Sequence, residues 1–312
     1  MRRLWLVLLG ILVVAVVLTS ALYLNRRAAA REVLVGWLDR RGIQADVDVQ
    51  RLELDGFVGR IRIGDPRDPD VVVERVEVDY AIGMPWSKAG LGVTPSRIRL
   101  VRPVMRASWK DGKLSLGSLD PLIEEFTGGP PRPDSRGPLV IVEGGRGRLD
   151  TEYGPVQALI DARVDDGKLM RLKGQATAQA LKSGDVAARD LKADVDLTTT
   201  GDRVKLLIDA GAAGFKTQAL NGETAHLLLN GDLPYPDMKT RRGDGRAVID
   251  AVLTGAMLGN AETSARDAAL TARFDGAVSG WIETFRAEGA TALSLKSSRI
   301  DGPNLQVVGA DA

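Results

Sequence analysis

Few residues in this chain could do covalent or acid–base chemistry. Cysteine is absent, which removes thiolate nucleophiles, thiolate metal sites and disulfides. The single histidine, His226, stands in Ala225-His226-Leu227-Leu228-Leu229. Alternation puts it on a face with Leu228 and opposite Leu227 and Leu229, where a surface or hydrogen-bonded histidine is the plain reading. With one histidine, a zinc site would need carboxylates alone, so no metal is expected. Asp161, Asp165, Asp166, Asp194, Asp196 and Asp209 could in principle supply a glycosidase-like carboxylate pair. Each falls in a turn or on the polar phase of a strand, so a solvated outer face explains them better. Gly144-Gly145-Arg146-Gly147 lacks the Lys-Ser/Thr and following helix of a phosphate loop and reads as a turn. There is no Gly-x-Ser-x-Gly elbow and no dinucleotide fingerprint. The residues describe no enzyme and no cofactor.

The elements that would carry a different function are strands. In Arg171 to Ala180 one phase is Arg, Lys, Gln, Thr, Gln and the other is Leu172, Gly174, Ala176, Ala178 and Ala180. A strand's side chains alternate faces, so the segment has one apolar and one polar side. The same division recurs. Ala187, Leu191, Ala193, Val195 and Leu197 oppose Lys192, Asp194 and Asp196. Val204, Leu206, Ile208 and Ala210 oppose Arg203, Lys205 and Asp209, and Leu270, Ala272 and Phe274 oppose Thr271, Arg273 and Asp275. Leu227 and Leu229 complete the set. A sheet normally buries such a face against helices or a second sheet. Here amphipathic helical stretches are few and lie near the N-terminus. Two readings stand: an ordinary sandwich core, or an open trough whose Ala- and Gly-rich wall leaves room for an acyl chain.

Turn signals recur at Asp166-Gly167, Gly184-Asp185, Gly201-Asp202, Gly231-Asp232, Asp244-Gly245, Asp275-Gly276 and Asp301-Gly302. They predict an antiparallel meander with strands at 139–142, 148–164, 169–181, 185–197, 203–210, 215–229, 246–254, 264–274, 284–295 and 304–308. Before it, strands are expected at 43–54 with a bulge near Leu52, and at 57–63, 71–80 and 96–105. A hairpin is expected at Asp111-Gly112 and a short helix at 119–126. The chain stops in or just after a strand, and such an edge is expected to pair with something.

Leu4 to Leu24 carries no charge. At about 1.5 Å per residue it spans roughly 31 Å, the thickness of a hydrocarbon core. It is longer than a usual signal-peptide core, and the following Ala28-Ala29-Ala30 sits behind two arginines, so an uncleaved anchor is expected. Arginines flank both ends of the run, and the short N-terminal flank makes the expected topology N-in, with the body beyond the membrane. The expected organisation is an anchor at 1–26, a juxtamembrane helix at 27–42 and an N-terminal β domain at 43–126. A Pro/Gly-rich linker at 127–138 and a repetitive antiparallel β-groove at 139–312 follow. In the helix, Val33, Leu34, Trp37 and Leu38 share a face, Gly42 ends it, and it could plug one end of the sheet. Lys+Arg of 42 against Asp+Glu of 41 leaves no basic field for nucleic acid.

The stretch Arg97-Ile98-Arg99-Leu100-Val101-Arg102-Pro103-Val104-Met105-Arg106-Ala107-Ser108-Trp109-Lys110-Asp111-Gly112-Lys113-Leu114-Ser115-Leu116-Gly117-Ser118-Leu119 resembles the N-terminal region of AsmA-like bacterial envelope proteins. Within them it is most similar to the YdbH-like branch. The resemblance implies a mostly β protein of bridge-like lipid transfer type, anchored in the inner membrane by its first helix and lying in the periplasm. It implies phospholipid carriage along an apolar β-groove between inner and outer membranes, and an envelope protein or further β-sequence at the C-terminal edge. Members of that branch are much longer than 312 residues, so this chain matches their N-terminal part. No catalytic residue is carried over. The positions of this chain that would line a lipid groove are Ala176, Ala178, Ala180, Leu191, Ala193, Val195, Leu197, Val204, Leu206, Ile208, Leu227, Leu229, Leu270 and Phe274. The competing reading is a non-catalytic scaffold that assembles outer-membrane proteins by strand addition.

Overall fold

The computed structural model describes residues 27–28, 30–32, 34–36, 38–53, 55–83, 92–111, 113–121, 137–218, 220–236, 243–260, 262–280, 284–303 and 305–311. Leu4 to Leu24, Val33, Leu54, Trp37, Gly112 and most of the expected linker lie outside them. Among the described residues no helix is long and apolar enough to cross a membrane.

Residues 27–28, 30–32, 34–36 and 38–39 are helical, and Leu34 and Leu38 among them face inward. Gly42 ends the helix at φ 74°, a left-handed conformation that suits glycine. Its N–H donates to the Asp39 carbonyl at 2.8 Å and the Ile43 N–H to the Leu38 carbonyl at 3.1 Å. This is a Schellman closure, and the accompanying apolar contact joins Leu38 to Ile43. Arg31 holds the helix to the first strand, donating to the Val47 carbonyl and the Asp46 carboxylate, both at 2.9 Å.

Fifteen strands then build one sheet. They are β1 (Ala45–Leu52), β2 (Gly56–Asp65), β3 (Asp68–Gly83), β4 (Gly92–Lys110), β5 (Lys113–Ser115), β6 (Leu139–Thr151), β7 (Gly154–Asp165) and β8 (Lys168–Ser183). β9 (Val186–Thr200), β10 (Arg203–Lys216), β11 (Asn221–Pro234), β12 (Gly245–Gly259), β13 (Ser264–Ser279), β14 (Arg286–Gly302) and β15 (Leu305–Asp311) follow. Their spatial order is their sequence order, except that the short β5 folds back on β4. The sheet is long, curved and unclosed.

The structure departs from the expected meander at several places. The turns expected at Gly144–Gly147, Gly231-Asp232, Asp275-Gly276 and Asp301-Gly302 lie within β6, β11, β13 and β14. Three further departures concern pairing and strand breaks. β6 pairs with β4 in parallel, Ile98 beside Val140 through Trp109 beside Thr151, whereas every other pairing is antiparallel. The chain leaves β4 through the β5 hairpin and a 3-10 turn at Gly117–Leu119, then starts β6 beside the beginning of β4. The sheet is therefore continuous from β1 to β15. The expected strand 148–164 is two strands. Its turn at Glu152-Tyr153 is held by Thr151, whose hydroxyl donates to the Gly154 carbonyl at 2.7 Å and accepts from the Tyr153 N–H at 3.1 Å. The break expected at 211–214 is absent. β10 runs through Gly211-Ala212-Ala213-Gly214, and the turn comes at Thr217–Leu220, where Thr217 Oγ1 donates to the Leu220 carbonyl and accepts its N–H. Small residues read as a turn, yet paired on both sides they extend a strand. The bulge near Leu52 is present, between Val49 and Arg51.

The closed part of the core lies at the N-terminal end. Ile43, Val47 and Val76 are almost wholly buried, with Val49, Ile63, Val71 and Val73, beneath Leu38 of the helix and Leu119 of the 3-10 turn. Asp70 fixes that turn by accepting from the Ser118 N–H and hydroxyl at 2.9 and 2.5 Å. Those two hydrogen bonds, the hydroxyl's first, hold the Asp70 carboxyl below its ordinary pKa.

Candidate functional site

Residues paired across a sheet share a face, so the register traces which side chains lie side by side. One row starts at Ala45 and passes through Ile63, Val71, Met105, Gly147 and Ala158. It continues through Ala176, Ala193, Ala210, Leu227, Leu253, Leu270 and Leu295. A parallel row joins Val49, Gly59, Val76, Leu100, Val142, Ala162 and Leu172 to Leu197, Leu206, Gly231, Ile249 and Phe274. Between them lie Gly174, Val195, Ile208, Leu229, Ala251, Ala272 and Leu293. The first row runs from β1 to β14, the second from β1 to β13 and the third from β8 to β14, none with a charged residue. At ~4.8 Å per strand the contour from β1 to β15 is about 60 Å.

The opposite face carries the charges. Lys173 faces Asp196 at 3.4 Å, and Arg273 faces Asp250 at 3.6 Å. His226 lies there too, exposed, its Nε2 2.6 Å from Asp209 Oδ1. Asp161 accepts from the Gly144 N–H and Asp166 from the Gly137 N–H. Among the described residues no group of His, Asp or Glu is arranged to hold a metal.

Past β4 the apolar face has no second layer among the described residues. Ala176, Leu191, Ala193, Val195, Leu197, Leu206, Ile208, Leu227, Leu229, Leu270 and Phe274 are half-buried on it, and Ala178 and Val204 are buried. Ala180 stands apart: it is exposed and pairs with Arg189. The reason is a crease. Gly222 and Ala225, Gly255 and Leu258, and Ala265 and Ala268 are buried three positions apart, where strict alternation would space them by two. Asp190, Thr224 and Asp267 take positive φ of 50°, 49° and 45° on alternate strands along this line. Each flips the phase of its strand, so beyond it Leu181 and Ala188, which pair with each other, replace Ala180 and Ala187. Ala188 also pairs with Phe215, which packs against the buried cluster of Leu258, Ala265 and Ala268. Gly222 leaves space for that ring, since a Cβ there would lie 2.4 Å from Phe215 Cε1.

Several lining positions carried a readable signal that the strand boundaries hid: Val156, Ala158, Ile160 and Ala162 alternate along β7, and Leu253 and Ile249 along β12. Tyr235 carried none, because its place depends on where the loop after β11 goes.

The face is concave at one rim. A cavity of about 730 Å³ is lined by Val164, Leu169, Leu197, Val204, Leu206, Leu233, Tyr235, Val278 and Phe285, among others. Chemically, the arrangement offers a continuous hydrocarbon-like wall with solvated rims.

Compared with protein-family models, with curated proteins and with solved structures, the chain matches none.

Proposed function

We propose that this protein carries phospholipids along the apolar face of its sheet, anchored in the bacterial inner membrane by Leu4 to Leu24, with the sheet in the periplasm. The observation that carries the reading is the unbroken apolar row from Ala45 to Leu295, left half-exposed past β4. Exposing two acyl chains of about 16 carbons to water costs on the order of 25 kcal/mol at ~0.8 kcal/mol per CH₂. A wall continuous across many strands lowers that cost at every position along it. A contour of about 60 Å exceeds a bilayer with its headgroups, ~40–45 Å. A wider gap needs further β-structure or a partner. The AsmA-like resemblance of residues 97–119 points the same way and supplies the compartment.

Lipid mass spectrometry on the purified full chain tests this directly, together with photo-crosslinking from position 195. Phospholipid adducts at Val195 are expected. A lipid-free protein that gives no adduct from the apolar face overturns the reading. Topology is tested by a reporter active only outside the cytoplasm, fused after Ala312 and expected to be active.

The strand-addition reading draws on one feature. β15 pairs only with Lys296 to Gly302 of β14, leaving 286–295 of that strand without a neighbour on this side among the described residues. Capture of a client strand there, with no lipid on the apolar face, would favour it.

A further inference from the structure

Tyr235 extends the β10–β11 ladder by one rung past Pro234, and its side chain reaches further, to β8. The Tyr235 N–H donates to the Asp202 carbonyl in the β9–β10 turn at 2.7 Å, and Tyr235 Oη accepts from the Leu169 N–H on β8 at 3.0 Å. The Tyr235 side chain thus crosses one rim of the apolar face and lines a cavity of about 730 Å³ there. That volume suits a bound small molecule or part of a lipid. Its walls are Val164, Leu197, Leu206, Leu233 and Phe285. At its mouth Lys168 stands between the lining residues Gly167 and Leu169, its Nζ 4.6 Å from the Tyr235 ring centroid and donating to the Gly201 carbonyl. Asp202, next in the chain, is exposed. Thr199, paired with the lining residue Val204, keeps a buried Oγ1 with no hydrogen-bond partner among the described residues.

We propose that the cavity rimmed by Tyr235 seats one acyl chain of a zwitterionic phospholipid, its phosphodiester at Lys168 and its ammonium at Asp202. This rests on the lipid reading above and adds a fixed stop and a headgroup preference to it. The chain enters an apolar space, while both charged groups of the head stay at the rim and keep their water. An ammonium beside a carboxylate complements a head with one charge of each sign. A head with a net negative charge meets Asp202 as well as Lys168.

The test uses the full chain in detergent with three diazirine-tailed probes of matched chains: phosphatidylethanolamine, phosphatidylglycerol and diacylglycerol. Adducts on Leu197, Leu206 and Leu233 are expected to be several-fold more abundant with phosphatidylethanolamine than with either other probe. Lys168→Gln should lower that yield to the diacylglycerol level, and Asp202→Asn should raise phosphatidylglycerol to match phosphatidylethanolamine. Leu206→Trp should fill the cavity and remove its adducts while sparing those at Ala193 and Leu227 on the open rows. Circular dichroism confirms that each variant is folded. Equal labelling by the three probes, or labelling unmoved by Lys168→Gln, overturns the inference. Adducts confined to the open rows also overturn it but leave the lipid reading standing. No adduct anywhere on the apolar face removes both.

Discussion

Val164 on β7 and Val278 on β13 line one cavity, although five strands lie between them in the sheet. Six strand spacings of ~4.8 Å set them about 29 Å apart along the sheet. They reach the same space because the sheet curls toward its apolar face. The curl makes that face a trough with an inside, so substitutions on it should behave unlike those in a filled core.

The sharpest contrast is between Val47 and Val195. Both belong to apolar phases, but Val47 is 1% exposed under the N-terminal helix and Val195 is half-buried on the open face. Val47→Glu buries an unpaired charge and should unfold the protein. Val195→Glu keeps its carboxylate near water and should shift the melting temperature by only a few degrees while abolishing lipid adducts. Thermal melting and lipid crosslinking on the same preparations check both. Equal destabilisation by the two would mean a filled core at Val195.

Acid should loosen the parallel junction first. Arg99 on β4 donates to Glu143 on β6 at 2.6 and 2.9 Å and to Glu77 on β3 at 3.2 Å, while Glu77 also accepts from Arg75 at 2.7 Å. Hydrogen bonds from Arg75 to Glu77 and from Arg99 to Glu143 hold both carboxyls below their ordinary value of 4.5. Folded values below unfolded ones mean stability fully present above about pH 4.5 and lost as pH falls through the folded values. The melting temperature should fall below pH 4.5, and Arg99→Gln should flatten part of that slope. An identical acid profile in the variant would place the sensitivity elsewhere.

Gly276 and Gly289 face each other across β13 and β14 with no room for a side chain. A Cβ on Gly276 would lie 2.4 Å from the Glu288 carbonyl oxygen and 2.6 Å from Gly289 Cα. Gly276→Ala should therefore destabilise by about 1–3 kcal/mol, as overpacking does. Gly174→Ala on β8 should cost little, since the nearest atom to its Cβ is 3.6 Å away. Chemical denaturation of the two variants gives the comparison.

Hydrogen exchange should divide β14. Lys296 and residues 299–301 are paired on both sides and 286–295 on one, and Leu293 in the second segment is 68% exposed. Amides of 286–295 that point away from β13 should exchange quickly, and those of β10 slowly. Protection of the two segments to the same degree would mean that another strand covers this edge.

Alternation along single segments was enough to assign the two faces at Leu172 to Ala178, Leu191 to Leu197 and Val204 to Ala210, because a strand's period of two is a local property of its backbone. The helix end at Gly42, the Val49 bulge and the Asp111 turn were legible for the same reason: their causes lie within a few residues. What tertiary structure decided is what depends on partners far along the chain. The phase flips at Asp190, Thr224 and Asp267 occur where neighbouring strands crease together, so Ala180 loses its inward place to Leu181 although nothing within its own strand marks the change. Pairing on both sides turned Gly211 to Gly214 from an expected turn into strand, and the return of β6 alongside β4 made one pairing parallel. Whether the apolar face would be covered was undecidable from its own residues. At Val47 a helix and the 3-10 turn close it; at Val195 no described layer does, and the curl that joins Val164 to Val278 leaves a trough.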